Sequence, residues 1–191
     1  MKALHDFLTQ AIGLDPAYAD ALQHLFVPRP YKKKEILVSE GSVCHFIGWV
    51  ATGTLRSFIT GNGEEFNNDF YFAGDIASAY SSFLTGEATN CTIEALADTE
   101  VYLLSDEHYQ ELTSKDAEWL KLGKYISDTY FIRKCRRESA FLRLDAAERL
   151  ASLNQLYPGI EQKVSQYHIA SYLGIKPESL SRIKLLTYIN K

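Results

Sequence analysis

The stretch QYHIASYLGIKPESLSRIK, from Gln166 to Lys184, decides how the rest of the chain is read. If Gln166 opens a helix-turn-helix, Ala170 falls where two helices cross closely and Gly174 falls at the tight turn, which needs a left-handed backbone. Ile169, Leu173, Ile175, Leu180 and Ile183 fill the apolar positions between the helices. Pro177 suits the first turn of the second helix, where its missing N–H leaves no bond unmade. In this motif the second helix enters the DNA major groove. With Leu180 and Ile183 inward, Glu178, Ser179, Ser181 and Arg182 point outward. Arg182 can contact a guanine edge in bidentate fashion, and Glu178 can accept from a cytosine amino group. Ser179, Ser181, Lys176 and Lys184 suit phosphates. Glu178 and Arg182 also stand four residues apart in the order that favours a plain surface ion pair.

The charge distribution agrees with a polyanion partner at one end of the chain. The net charge is −4, but residues 1–131 hold 9 Lys/Arg and 19 Asp/Glu (−10), and residues 132–191 hold 11 and 5 (+6). The composition, 46% hydrophobic and 23% charged, is that of a globular protein. No apolar run approaches the roughly 20 residues that span a bilayer. The opening MKALHDFLTQAIGLD reads as an amphipathic helix and not a secretory signal, so a cytoplasmic location is expected. Cys44, Cys91 and Cys135 are too scattered for a disulfide framework, a zinc site or an iron–sulfur cluster. No cofactor or metal is expected.

Upstream of the motif the pattern changes twice. Residues 1–26 carry helical spacings, and VPRPYKKK then breaks them with two prolines. From Glu35 to about Leu104, short β-branched and aromatic runs alternate with glycine turns, as in a β-sandwich, roll or barrel. TGNGEE is a hairpin turn, and SAYSSFL a short helix within this region. From Ser114 to about Glu138 a long helix is expected, with two apolar stripes: Trp119, Leu122, Ile126 and Tyr130 on one, Leu120, Phe131 and Cys135 on the other. Two apolar stripes need two neighbours, either the β-region and a second subunit or the interior of a monomer. A break near 139–144 precedes a helix capped by Asp145, with Glu148 completing a capping box. The expected divisions are 1–113 for a sensor, 114–138 for the long helix and 139–191 for the helix-turn-helix.

A β-roll, a long helix and a C-terminal PESLSRI motif together resemble the bacterial family of the cyclic AMP receptor protein and the fumarate–nitrate regulator. LVSEGSVCHFIGWVATGTLR is similar to its strand–glycine core, and FYFAGD to the entry of its phosphate-binding cassette. The family's recognition-helix pattern falls here on Glu178, Ser181 and Arg182. The resemblance implies an α+β fold: an N-terminal double-stranded β-helix of the cyclic-nucleotide-binding type, a long dimerisation helix and a C-terminal helix-turn-helix. It implies a homodimer on palindromic double-stranded DNA, with Trp119, Leu122, Ile126 and Tyr130 at the seam. It also implies a ligand pocket at Gly74, Asp75, Thr89 and Asn90.

The sequence departs from that pattern in two places. Asp75 stands where the family's nucleotide binders have glutamate, and Thr89-Asn90 where they have an Arg-Ser/Thr pair. From Ser57 to Ser114 there are 11 acidic residues and no Lys or Arg. A cyclic phosphate buried there would lack a counter-charge, so cyclic AMP is not the expected ligand, and a neutral or cationic effector fits better. The family's C-terminal wing is also expected to be missing. A metal-dependent β-roll enzyme would need a His-x-His cluster, and His5, His24, His45, His108 and His168 are isolated. The reading is therefore a non-enzymatic transcription regulator. The rival is a ligand-binding signalling module whose C-terminal helices dock a protein.

Overall fold

The computed structural model describes residues 1–189, with side chains through Leu186. The chain divides into two compact units, Met1–Ser57 with Phe70–Tyr130 and Phe58–Asp69 with Phe131–Lys191.

The first unit opens with α1 (Lys2–Asp6), a π-helical turn (Phe7–Ala11) and α2 (Pro16–Gln23). Asp15 caps α2 by accepting from Ala17 N, and Pro16 takes the first helical position. The strands are β1 (Val27–Tyr31), β2 (Ile36–Val38), β3 (Phe46–Thr52), β4 (Thr54–Gly61), β5 (Glu64–Phe72), β6 (Ile76–Ala77), β7 (Thr92–Ala95) and β8 (Thr99–Ser105). They form two four-stranded sheets in the orders β1-β8-β3-β6 and β2-β7-β4-β5. The prolines that mark a break in the sequence lie inside β1. That strand is an edge, and prolines two residues apart turn both missing N–H groups to the open side of the ladder. The GNGE turn is as expected: Asn62 (φ 52) and Gly63 (φ 79) are both left-handed, the requirement of a tight two-residue hairpin.

Strand alternation sorts the core into two clusters. Ile47 and Trp49 of β3 and Leu104 of β8 face the helices, joining Leu4, Leu8, Leu22, Leu122 and Ile126. Val50 and Val101 from the same strands face the inter-sheet interior with Val38, Leu55, Tyr71 and Ile93. The short helix α3 (Tyr80–Thr85) interrupts the strands where SAYSSFL predicts it.

The helix expected over 114–138 is observed as three pieces. α4 (Asp106–Lys115) ends at Asp116, whose backbone is extended (φ −151) and whose carboxylate accepts from Glu118 N. A 3-10 turn (Ala117–Trp119) follows, and then α5 (Leu120–Arg143). An aspartate that caps the next segment ends the previous one. Gly123 of α5 makes room for a close contact: a Cβ there would lie 2.1 Å from Tyr109 Oη. Tyr80 Oη donates to the Gly123 carbonyl at 3.2 Å.

The second unit holds the tip of the β4–β5 hairpin, the second half of α5, α6 (Ala146–Leu156), α7 (Ile160–Lys163), α8 (Gln166–Leu173) and α9 (Pro177–Ile189). The capping box is present: Asp145 accepts from Glu148 N, and Glu148 accepts from Asp145 N. Leu150, Leu153, Ile160, Ile169, Ala170, Leu173 and Leu180 are buried.

Candidate nucleic-acid interface

Ser165 caps α8 by accepting from His168 N. The helix ends at Gly174 (φ 68, ψ 33), and Ile175 N donates back to the Ala170 carbonyl at 3.0 Å. That left-handed stop, with the long return bond, aims α9 away from α8. Ile169, Ala170, Leu173 and Leu180 are buried, so the opposite side of α9 faces out. Lys176, Glu178, Ser181 and Arg182 are exposed, and Ser179 is half-buried. Ser181 Oγ donates to the Pro177 carbonyl (3.1 Å), while Arg182 has no carboxylate partner among the described residues. The Glu178–Arg182 ion pair that the spacing allows is not formed. Lys184 is placed differently from its neighbours: half-buried, it donates to Glu161 of α7 and, as the first cause, holds that carboxyl below its ordinary range. It is spent on tying α9 to α7.

The same unit holds a partly buried polar cluster that the sequence reading missed. Tyr157 Oη donates to Asp69 Oδ1 at 2.8 Å, and Arg133 lies 4.0 Å from the same carboxylate. Ser171 Oγ donates to the Glu65 carbonyl (2.8 Å) and accepts from Asn67 N (3.0 Å). Arg137 donates to the carbonyls of Asn67 (3.3 Å) and Tyr172 (3.2 Å). The hairpin tip is thus a built part of the helical unit. Nothing in a strand-turn-strand pattern signals that, because the partners lie about a hundred residues away in sequence.

Of the four expected seam residues, three are buried within one chain and Tyr130 is half-buried. Trp119, Leu122 and Ile126 are 8%, 1% and 0% exposed within one chain, in the core of the first unit. Trp119 meets Tyr18 edge-on at 4.9 Å, and Tyr130 Oη donates to the Ile76 carbonyl at 2.9 Å. A side chain already covered by its own chain has no surface left for a partner. The stripe that stays open is the other one, with Leu120 at 53%, Phe131 at 70% and Cys135 exposed, joined by Ile132.

The pocket residues taken from the resemblance lie at turns and crossings of the β-region. Gly74 (φ 94) donates to the Val50 carbonyl, and the Asp75 carboxylate accepts from Phe72 N at 2.9 Å. Thr89 exchanges backbone bonds with Gly41 and Ser42, and Asn90 is exposed. Arg56, 4% exposed on β4, is bound through Nε (2.7 Å) and Nη2 (2.5 Å) to Glu94 on β7. Cys44 is buried beside Ser78, and Cys91 is beside Thr89. Among the described residues no group of three or more His, Cys, Asp or Glu could hold a metal, and no helix is long and apolar enough to cross a membrane.

Residues 28–116 match the cyclic nucleotide-binding domain family. No curated protein sequence matches the chain. Its fold is shared with FixK2 from Bradyrhizobium japonicum (TM-score 0.75, 19% identity, 86% of this chain and 85% of that one). It is shared too with a protein from Eubacterium rectale described as a transcriptional regulator of the crp/fnr family (TM-score 0.74, 20% identity, 97% and 88%). A third is the c-di-GMP responsive global regulator CLP from Xanthomonas campestris (TM-score 0.72, 16% identity, 92% and 93%).

Proposed function

We infer that this chain, which carries a cyclic nucleotide-binding domain within the fold of the Crp/Fnr regulators, is a dimeric, sequence-specific DNA-binding transcription regulator. The observation that carries this reading is the outer face of α9, where Lys176, Glu178, Ser181 and Arg182 stand exposed beyond the Gly174 turn. Arg182 and Glu178 read base edges, and Lys176 and the serines meet phosphates. The basic excess of residues 132–191 supplies the non-specific part of the affinity. Two copies joined along the open stripe of α5, at Phe131 and Ile132, would set two recognition helices against half-sites about 34 Å apart.

In this reading the β-roll does not take cyclic AMP. Its buried guanidinium, Arg56, is already engaged by Glu94, and the segment from Ser57 to Ser114 has no other cation to offer a phosphate. An effector there would be neutral or cationic. The rival is that the C-terminal helices dock a protein.

The test is binding to an operator selected from random duplex DNA, followed by fluorescence anisotropy at several salt concentrations. Wild type should bind with a steep negative salt slope. Arg182→Ala should weaken the selected site by roughly 1–3 kcal/mol and relax preference at one base pair. Failure to select any sequence, or salt-independent binding, would favour the rival.

A further inference from the structure

We propose that the second unit holds a binding pocket for a small molecule bearing an oligophosphate, of the nucleoside di- or triphosphate class, with Arg136, Arg137 and Arg149 as its cationic walls. This site is separate from the recognition face and from the β-roll.

The pocket, about 370 Å³, lies between the second half of α5, α6 and α8, and no residue of α9 lines it. Four arginines line it and no Asp or Glu does. Arg133 stands beside Asp69, which offsets its charge. Arg136, Arg137 and Arg149 have no carboxylate partner among the described residues. Arg137 donates to the main-chain carbonyls of Asn67 and Tyr172 and also meets the Tyr172 phenol, and Arg149 donates to Leu144 O at 2.8 Å. The Nε atoms of Arg137 and Arg149 are buried with no hydrogen-bond partner in the structure. Buried donors without acceptors are rare in native proteins, and a water or ion is among the usual reasons for one. Three like charges gathered without a counter-charge point the same way.

Two further features choose the ligand. First, the guanidinia are held in place. Arg137 sits 4.7 Å from the Phe141 ring centroid and 4.9 Å from that of Tyr172, and Arg149 sits 4.8 Å from Phe141. Stacked planar forks of this kind suit phosphate oxygens better than a point charge does. Two such forks, with Arg136 lining the same pocket, exceed what one phosphate needs and match a chain of two or three. Second, the wall between the arginines is apolar, with Phe141, Leu153 and Leu156. A flat ring could rest there while the phosphates reach the forks. The volume falls within the range of roughly 300–1,000 Å³ typical of small-molecule sites.

The experiment is calorimetry of the full chain, without DNA, with inorganic pyrophosphate and with adenosine and guanosine 5′-diphosphates, at low and high salt. The variants are Arg149→Gln, Arg136→Gln and, as a control, Arg182→Gln. Arg136 is exposed and has no hydrogen-bond or ion-pair partner among the described residues, so its substitution should leave the fold intact. We expect saturable, salt-weakened binding of one molecule per chain, with a diphosphate nucleotide at least tenfold tighter than pyrophosphate. Arg149→Gln and Arg136→Gln should each lower affinity about tenfold or more, and Arg182→Gln should leave it unchanged. The absence of heat with every probe would overturn the proposal. So would equal affinity in Arg136→Gln and wild type, or a loss confined to Arg182→Gln. If the pocket variants weaken operator binding while the free phosphates give no heat, the arginines are clamps for duplex DNA and the proposal also fails. Because DNA is absent from the calorimetry, a failed DNA-binding test does not alter its outcome.

Discussion

Replacing Tyr157 with phenylalanine removes one hydroxyl and keeps the ring. Tyr157 is 7% exposed and donates to Asp69 at 2.8 Å. Losing a hydrogen bond to a charged acceptor costs about 1.5–3 kcal/mol, and with the ring retained no cavity adds to it. The pH dependence is more diagnostic. Burial, reinforced by the Asp69 charge, pushes the Tyr157 phenol far above its ordinary range and the neighbouring Tyr172 phenol up to about 12. A phenol raised in the folded state loses its proton first in the unfolded chain. Its contribution is therefore complete below pH ~10 and falls as pH rises further, by about 1.4 kcal/mol per pH unit for each phenol. Wild type should lose roughly 2 kcal/mol per unit from the two residues between about pH 10 and 12, and Tyr157→Phe about half of that. Both tryptophans, Trp49 and Trp119, lie in the first unit. The second unit is therefore followed by far-ultraviolet circular dichroism during urea unfolding. Equal stability of variant and wild type at neutral pH, with parallel alkaline limbs, would refute the reasoning.

Three other substitutions or titrations test the rest of the molecule. Gly123→Ala places a methyl 2.1 Å from Tyr109 Oη and should lower the stability of the first unit by roughly 1–3 kcal/mol, read by tryptophan fluorescence; an unchanged urea midpoint would mean that the Tyr109 ring moves aside freely. Phe131→Glu should yield folded monomers in sedimentation and weak operator binding, whereas Ile126→Glu, at 0% exposure, should unfold the first unit; a wild-type chain already monomeric at micromolar concentration would count against the α5 seam. Cyclic AMP and cyclic GMP should give no heat attributable to the β-roll; micromolar binding abolished by Asp75→Ala would reverse that expectation.

Much of the architecture was legible because it rests on local chemistry. Gly174, Pro177 and the inward Leu180 specify a turn and a helix within a few residues, and Asn62-Gly63 and Asp145–Glu148 do the same for a hairpin and a cap. β1 was not legible, because a proline reads as a break unless one knows the strand is an edge. The division between α4 and α5 turned on Asp116, one capping residue in a stretch otherwise free of strong breakers.

The two apolar stripes show what kind of information a helical pattern lacks. Periodicity established that α5 has two apolar faces, but it could not assign them. The wider stripe, with Trp119, Leu122 and Ile126, reads as the stronger interface, yet large regular side chains are equally what a domain uses to cover its own sheet. The poorer stripe, broken by Lys124 and Lys134, is the one left open. An interface that must form and rearrange in water has to leave its subunits soluble apart, which favours apolar residues spaced among charges over a continuous seam. The same limit hid the arginine pocket. Its walls come from α5, α6 and α8, and along the sequence Arg133, Arg136, Arg137 and Arg149 are ordinary charges on helices. Only the convergence of Arg136, Arg137 and Arg149 without a carboxylate marks the proposed site, and the +6 excess of residues 132–191 was the one trace of it visible beforehand.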